Sequence, residues 1–266
     1  MSGRIERVVV PLDAASDSLV ALETAARLAA HANAPLIGIF VEDEDLLHLA
    51  SLPFARQFTL GADAEKLTTE HIELHLRVAA ERARRELFAA AQRHGVTSSL
   101  EIVRGASASA LMAASERDLV VAGALTRPIA GHFRVECRWW SSLEAVPGPF
   151  LLARHAWSAH GSVALLLRER SPAASRLLAA AAQIAEATDA LLIVIRAPGA
   201  EQLDAWVADR LADRPVRLQV ETGPAEPTAL RQRLDELDCR LLAIEAGGDP
   251  VRELVERHAC DILIVR

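Results

Sequence analysis

Short runs of aliphatic and β-branched residues alternate with helical patterns along this chain, and the alternation passes through the same order twice. Such runs are strands of a parallel sheet covered on both faces, because parallel neighbours need a crossover that lies over the sheet. In the first half the expected strands are Arg7–Asp13, Pro35–Val41, Ser98–Arg104, Asp118–Gly123 and Gly148–Arg154. In the second they are Ser162–Arg168, Ala190–Arg196, Pro215–Glu221, Arg240–Ala246 and Asp261–Arg266. The helix Ser16–Asn33 answers Pro172–Thr188, with Leu22, Ala25, Ala26 and Ala29 at helical spacing and Ser16 and Ser171 as N-caps. Ile39 and Ile195 take equivalent strand positions, Gly105–Leu111 matches Gly223–Leu230, and Pro149–Arg154 matches Asp261–Arg266. Two copies of one βα unit account for the chain.

The expected architecture is therefore α/β: two repeated, open, five-stranded parallel-sheet domains, 1–156 and 160–266, joined by the short linker His155–Gly161. The copies differ in two places. Domain 1 carries an apolar-acidic insertion, 42–61, followed by a long helix through His94, where domain 2 has only Pro198–Arg214. Domain 1 also has the excursion Ala124–Cys137, whereas in domain 2 Gly247-Gly248-Asp249-Pro250 runs almost directly into the helix Val251–His258.

Composition excludes several classes. A net charge of −7 argues against nucleic acid as a partner, since counterion release needs a clustered basic surface. Of 29 basic residues only Lys66 is lysine, so no G-x-x-x-x-G-K-[ST] loop exists, and Schiff-base chemistry would rest on that one residue. Cys137, Cys239 and Cys260 are odd in number and widely spaced, and read as reduced thiols. Met-Ser-Gly-Arg-Ile-Glu-Arg leads straight into a strand without an apolar targeting core, and no apolar run approaches membrane-spanning length. A soluble, cytoplasmic protein is expected.

Four constellations invite chemistry, and each has a plainer reading. Gly105-Ala-Ser-Ala-Ser109 nearly spells a nucleophile elbow, but helix capping by Ser107 explains it better. His71 and His75 share a helical face with Leu67, Leu74 and Val78, which favours a packing stripe in a core or interface over a metal pair. Cys137-Arg-Trp-Trp140 and His155-Ala-Trp-Ser-Ala-His160 suit an apolar plug or domain contact better than a ligand pocket. The segment Glu42–Phe58 reads plainly as a short amphipathic helix, and its apolar excess could instead form a lid over the cleft or a docking face for a partner.

The order strand, Val10-Pro11-Leu12-Asp13, helix, strand, long helix, strand, Gly105-x-x-x-x-x-Leu111, helix, Asp118–Gly123, loop, helix and Pro149–Arg154 resembles the universal stress protein family. The resemblance covers nearly the whole chain as a tandem pair, clearer in the first half. It implies a Rossmann-like fold packed as a pseudo-dimer, with ATP at the C-terminal strand ends of nucleotide-binding members. There, the acidic residue ending the first strand helps hold the nucleoside, and a G-x2-G-x9-G-[ST] loop holds the phosphates.

Carried onto this chain, that pattern gives a vestigial nucleotide site at Asp13 and Gly123, with Arg127 (and Arg134) as local residues that could rescue anion binding. Thr126 replaces the second glycine, and Glu136-Cys137 replace the Gly-Ser/Thr end. Pro128 removes a backbone donor, and Glu136 sets a carboxylate against a polyphosphate. In domain 2 Arg168 or Glu169 falls where Asp13 lies, and the loop is deleted, leaving Gly248 beside Asp249. ATP and AMP are thus disfavoured, no cofactor or metal is expected, and no nucleophile or base stands out. The expectation is a non-catalytic stress-response or regulatory protein with protein partners and room for a homodimer. A nucleotide-binding sensor with weak ATPase activity, and a small-molecule or lipid-binding module, are the alternatives.

Overall fold

All ten aliphatic runs enter one sheet. The computed structural model describes residues 5–12, 18–42, 44–52, 56–57, 65–66, 68–105, 114–123, 126–129, 133–136, 146–155, 161–224, 227–246 and 260–266. The first half contains β1 (Arg7–Leu12), α1 (Ser18–Ala32), β2 (Leu36–Glu42), α2 (Glu44–Ser51), β3 (Arg56–Gln57), β4 (Glu65–Lys66) and α3 (Thr69–His94). It continues with β5 (Ser98–Arg104), β6 (Asp118–Ala122), β7 (Thr126–Ile129), β8 (Phe133–Glu136) and β9 (Phe150–Leu152). The second half contains β10 (Ser162–Leu167), α4 (Pro172–Thr188), β11 (Leu191–Arg196), α5 (Gln202–Leu211), β12 (Arg217–Thr222), α6 (Pro227–Glu236), β13 (Cys239–Glu245) and β14 (Asp261–Val265).

The ten-stranded sheet has the order β12-β11-β10-β13-β14-β9-β6-β1-β2-β5. Every neighbouring pair is parallel except β14 and β9, which meet antiparallel with Ile262 opposite Leu152, Leu263 opposite Leu151 and Ile264 opposite Phe150. Each half on its own has the strand order 3-2-1-4-5, so the strand order, with every strand still parallel, reverses between β1 and β6 and again between β10 and β13. Pairing the last strands of the two repeats removes two exposed edges, the usual starting points for edge-to-edge aggregation.

Register makes the repeat exact to the residue. Pro11 pairs with Ile39 as Leu166 pairs with Ile195, which makes Val8 equivalent to Val163. Val8 then pairs with Leu119, and Val163 with Leu241. Val120 pairs with Phe150, and Leu242 with Ile262, so Leu151 is equivalent to Leu263.

Two apolar layers cover the sheet. One joins alternate strand residues to α1, α3, α4 and α5 through Leu22, Leu87, Leu177 and Leu203. The other lies beneath α6 and is built from Val9, Val120, Phe150, Leu234, Leu242 and Ile262. Alanines at 21, 25, 26, 29 and 32 form the buried stripe of α1 and let it approach the sheet and α3 closely. Gly38 is required for the same reason: a Cβ there would lie 2.7 Å from Leu87 Cδ2 and 2.9 Å from Leu12 Cδ1.

Local signals set the helix ends. Ser171 Oγ accepts from the Ala174 N–H at 2.7 Å, with Pro172 in the first turn, as its N-cap role requires. Ser16 lies outside the described residues. The long helix expected to run through His94 starts at Thr69, because Thr68 Oγ1 accepts from the His71 N–H and Glu65–Lys66 pair with Arg56–Gln57. It ends at Gly95, whose φ of 66° is the left-handed cap that glycine adopts without strain.

Candidate functional site

In an open α/β sheet, ligands bind outside the C-terminal strand ends where the strand order reverses, since the crossover helices diverge there. This molecule has two such places, beyond β1/β6 and beyond β10/β13.

In domain 1, Gly123 follows directly on β6, beside the hydrogen bond from Ala153 N–H to Ala122 O at 2.8 Å. The excursion beyond it contains an antiparallel hairpin, with Thr126 opposite Glu136, Arg127 opposite Val135, Pro128 opposite Arg134 and Ile129 opposite Phe133. The stretch that would be the nine-residue spacer of a phosphate loop is thus largely strand backbone, whose paired amides are committed to each other. Arg127 lies on this hairpin; Asp13 lies outside the described residues, as do Ser107 and most of the Trp-rich segment. At the neighbouring strand ends Arg104 Nε and Nη2 donate to Glu42 Oε2 at 3.1 and 3.0 Å.

In domain 2 the equivalent place is occupied by the protein's own carboxylate. Counting from the equivalence of Leu119 and Leu241, Glu245 stands where domain 1 has Gly123. Its Oε2 accepts from Ser171 Oγ at 3.3 Å, at the N-terminus of α4, and its Oε1 is buried without a hydrogen-bond partner. A helix N-terminus favours negative charge, and Glu245 supplies it internally. The same count puts Arg168, which is exposed, at the position of Asp13, reversing the charge there. Arg196, 11% exposed, is held by Asp204 at 2.7 Å and Glu201 at 3.2 Å.

Titration behaviour is perturbed mainly away from these mouths. Burial raises the Asp118 carboxyl, but the Arg7 guanidinium at 3.0 Å and the Ser115 N–H at 2.7 Å outweigh it and hold the group below its usual range. That pair ties β1 to β6 at their N-terminal ends, opposite the ligand side, so its role is structural. Among the described residues no group of three or more potential metal ligands comes together. His71 and His75 are exposed, and so are Leu74 at 55% and Val78 at 60%. Of the two expected roles of this stripe, core or interface, the core one is overturned: it faces solvent, and α3 buries Leu76, Ala80, Ala83, Leu87, Ala90 and Ala91 instead.

No family model and no curated protein matches the sequence. The three-dimensional comparison is decisive. A universal stress protein from Archaeoglobus fulgidus superposes with a TM-score of 0.68 at 15% identity, covering 99% of this chain and 97% of that one. A protein of unknown function from Pseudomonas aeruginosa gives a TM-score of 0.59 at 14% identity, covering 98% and 93%. The fold is that of the universal stress proteins, in tandem.

Within that universal-stress frame, Gly123 and Arg127 belong to one segment of domain 1, joined through β6 and the hairpin. Glu245 was not anticipated, and Ser171 was expected only as an N-cap, without its contact to Glu245. A strand-by-strand match of the two halves, anchored on Asp118–Gly123 and Arg240–Ala246, would have found Glu245 opposite Gly123, because no gap intervenes between Leu241 and Glu245. Gly247 and Gly248, which look like loop remnants in sequence, come after that position and lie outside the described residues. The insertion 42–61 begins with α2, which packs against α3, in agreement with the helical reading. Among the described residues no helix is long and apolar enough to cross a membrane.

Proposed function

We propose that this chain is a non-catalytic regulatory protein of the universal-stress type that does not bind ATP in either half in the manner of nucleotide-binding members. The observation that carries the reading is Glu245 at the N-terminus of α4, in the position equivalent to Gly123. Two like unit charges about 4 Å apart repel by about 4 kcal/mol in a surroundings of effective dielectric 20, which is enough to remove about three decades of affinity for a polyphosphate. In domain 1 the reading is supported by Thr126, Pro128 and Glu136, which stand where a phosphate loop needs glycine or free amides, and by the hairpin that pairs them. Protein contacts then become the route of action, with the Glu42–Arg104 end of the sheet, α2 and the exposed Leu74–Val78 face of α3 as the available surface.

The experiment is calorimetric titration of the full chain with ATP, ADP and AMP, together with native mass spectrometry of the freshly purified protein. The reading expects no heat above dilution at micromolar nucleotide and no retained small molecule. Micromolar binding abolished by Asp13→Ala would replace it with a nucleotide sensor, and a co-purified lipid would replace it with a carrier.

A further inference from the structure

Cys239 opens β13 and Cys260 immediately precedes β14, and these two strands are parallel neighbours. Leu241 pairs with Asp261, so in a regular strand Arg240 would lie beside Cys260 and Cys239 would point to the opposite face. The strand is not regular. Ser162 pairs with Cys239 while Val163 pairs with Leu241, which leaves Arg240 as the extra residue of a β-bulge. The bulge turns Cys239 onto the face that Cys260 occupies: Cys260 is part of the apolar layer beneath α6, and Cys239 packs against the same layer. Gly161 makes the bulge possible, since a Cβ there would lie 2.2 Å from Arg240 Cγ, and its φ of 104° suits glycine.

We propose that Cys239 and Cys260 form a reversible intramolecular disulfide, making the base of the β13–β14 pair a peroxide-responsive modification site. One residue of offset between adjacent strands puts their Cα atoms roughly 5–6 Å apart, within the window of about 4.4–6.8 Å that a disulfide spans. The thiols already interact: the Cys260 side chain, with burial second, pushes the Cys239 thiol well above its ordinary range, and Cys239 Sγ donates to the Leu241 carbonyl at 3.3 Å. Arg154 lies across the antiparallel β9–β14 contact from Cys260 and interacts with it electrostatically.

The chemistry balances with hydrogen peroxide as oxidant. The Cys260 sulfur attacks one peroxide oxygen, forming an S–O bond as O–O breaks, and the thiol proton leaves with the other oxygen as water. The Cys239 sulfur then attacks the sulfenic sulfur, forming S–S as S–O breaks, and a second water departs with the Cys239 proton. The two thiols lose two electrons and the peroxide gains two. The bond closes the segment from β13 to β14, which includes the region that replaces the first half's long loop.

The test treats the full chain carrying Cys137→Ser with hydrogen peroxide, then alkylates under denaturing conditions and maps the peptides. The expected result is loss of both remaining thiols, recovery of both with dithiothreitol, a linked Cys239–Cys260 peptide, and a fall in intact mass of about 2 Da. With Cys239→Ser added, oxidation should stop at a Cys260 sulfenic acid that dimedone traps. The unsubstituted chain gives the same linked peptide without reliance on any variant. Two unreacted thiols, sulfinic or sulfonic acids formed independently on each, a disulfide only between chains, or a link from Cys137 to either residue would overturn the proposal.

Discussion

Leu151 faces Leu263 across the antiparallel contact of β9 and β14, and the two are the same residue of the two repeats. A two-fold axis that passes through a pair of equivalent residues is how a closed homodimer would join its subunits. Here one chain supplies both partners, and both leucines are fully buried.

Truncating either leucine should therefore do similar damage. Leu151→Ala and Leu263→Ala are each expected to cost about 2–5 kcal/mol of unfolding free energy. The double variant should depart from additivity, because the side chains are direct neighbours. Denaturant unfolding of the three variants checks this. Unequal single effects with strict additivity would speak against the shared axis.

Gly148 and Gly95 should respond differently to alanine. A Cβ at Gly148 would lie 2.6 Å from the backbone oxygens of both Asp118 and Ser115, neither of which can rotate away. Gly148→Ala is expected to destabilise by about 2–4 kcal/mol, at the upper end of overpacking effects. At Gly95 no atom lies within 4 Å, and only the φ of 66° penalises a side chain. Gly95→Ala should cost about 1 kcal/mol, read from thermal or denaturant melts.

Glu23 gives acid sensitivity a location. Burial raises its carboxyl, but hydrogen bonds from Arg93 at 2.9 Å and His94 at 2.7 Å prevail and hold it at about 2, against an ordinary 4.5. A depressed folded-state value means the stabilisation is fully present above pH 4.5 and is lost as the pH falls toward 2. The carboxylate is 32% exposed, so solvent screening reduces the contribution to about 1 kcal/mol. Glu23→Gln should lower stability at pH 6 by about that amount and by only a small part of it at pH 2, measured by denaturant unfolding across the range.

The strands were legible because each is a short aliphatic run, and their boundaries fell within one or two residues of the observed ones; Ser98–Arg104 was reproduced unchanged. The packing of the halves as a pseudo-dimer was also readable, since a duplicated chain gains by hiding equal edges. Three features were not. The hairpin of β7 and β8 sits in a segment whose likeness to a phosphate loop concealed its pairing. The stripe of Leu74 and Val78 read as core or interface, and its exposure removes the core reading, because a 26-residue helix has room for two apolar faces. The alanine-rich one carrying Ala80, Ala83 and Ala90 packs inward, because small side chains allow the closest approach to α1 and the sheet. The contact of Glu245 with Ser171 joins residues 74 apart in sequence, and no local pattern encodes such a pairing.

Asp118 offers a check on the sheet itself. It is wholly buried and held by Arg7 and the Ser115 N–H, so Arg7→Ala leaves a buried charge without its cation. That substitution should destabilise by about 3 kcal/mol, whereas Arg7→Ala combined with Asp118→Asn should recover part of the loss. Equal stability of the single and double variants would show that the ion pair contributes nothing.

The most direct measurement is a crystal structure of the full chain soaked with millimolar ATP and magnesium. The account predicts no nucleotide density beyond β1/β6 or β10/β13, with Glu245 still on Ser171. A triphosphate bound by main-chain amides at either place, with Glu245 turned away or the β7–β8 hairpin rebuilt around it, would contradict it.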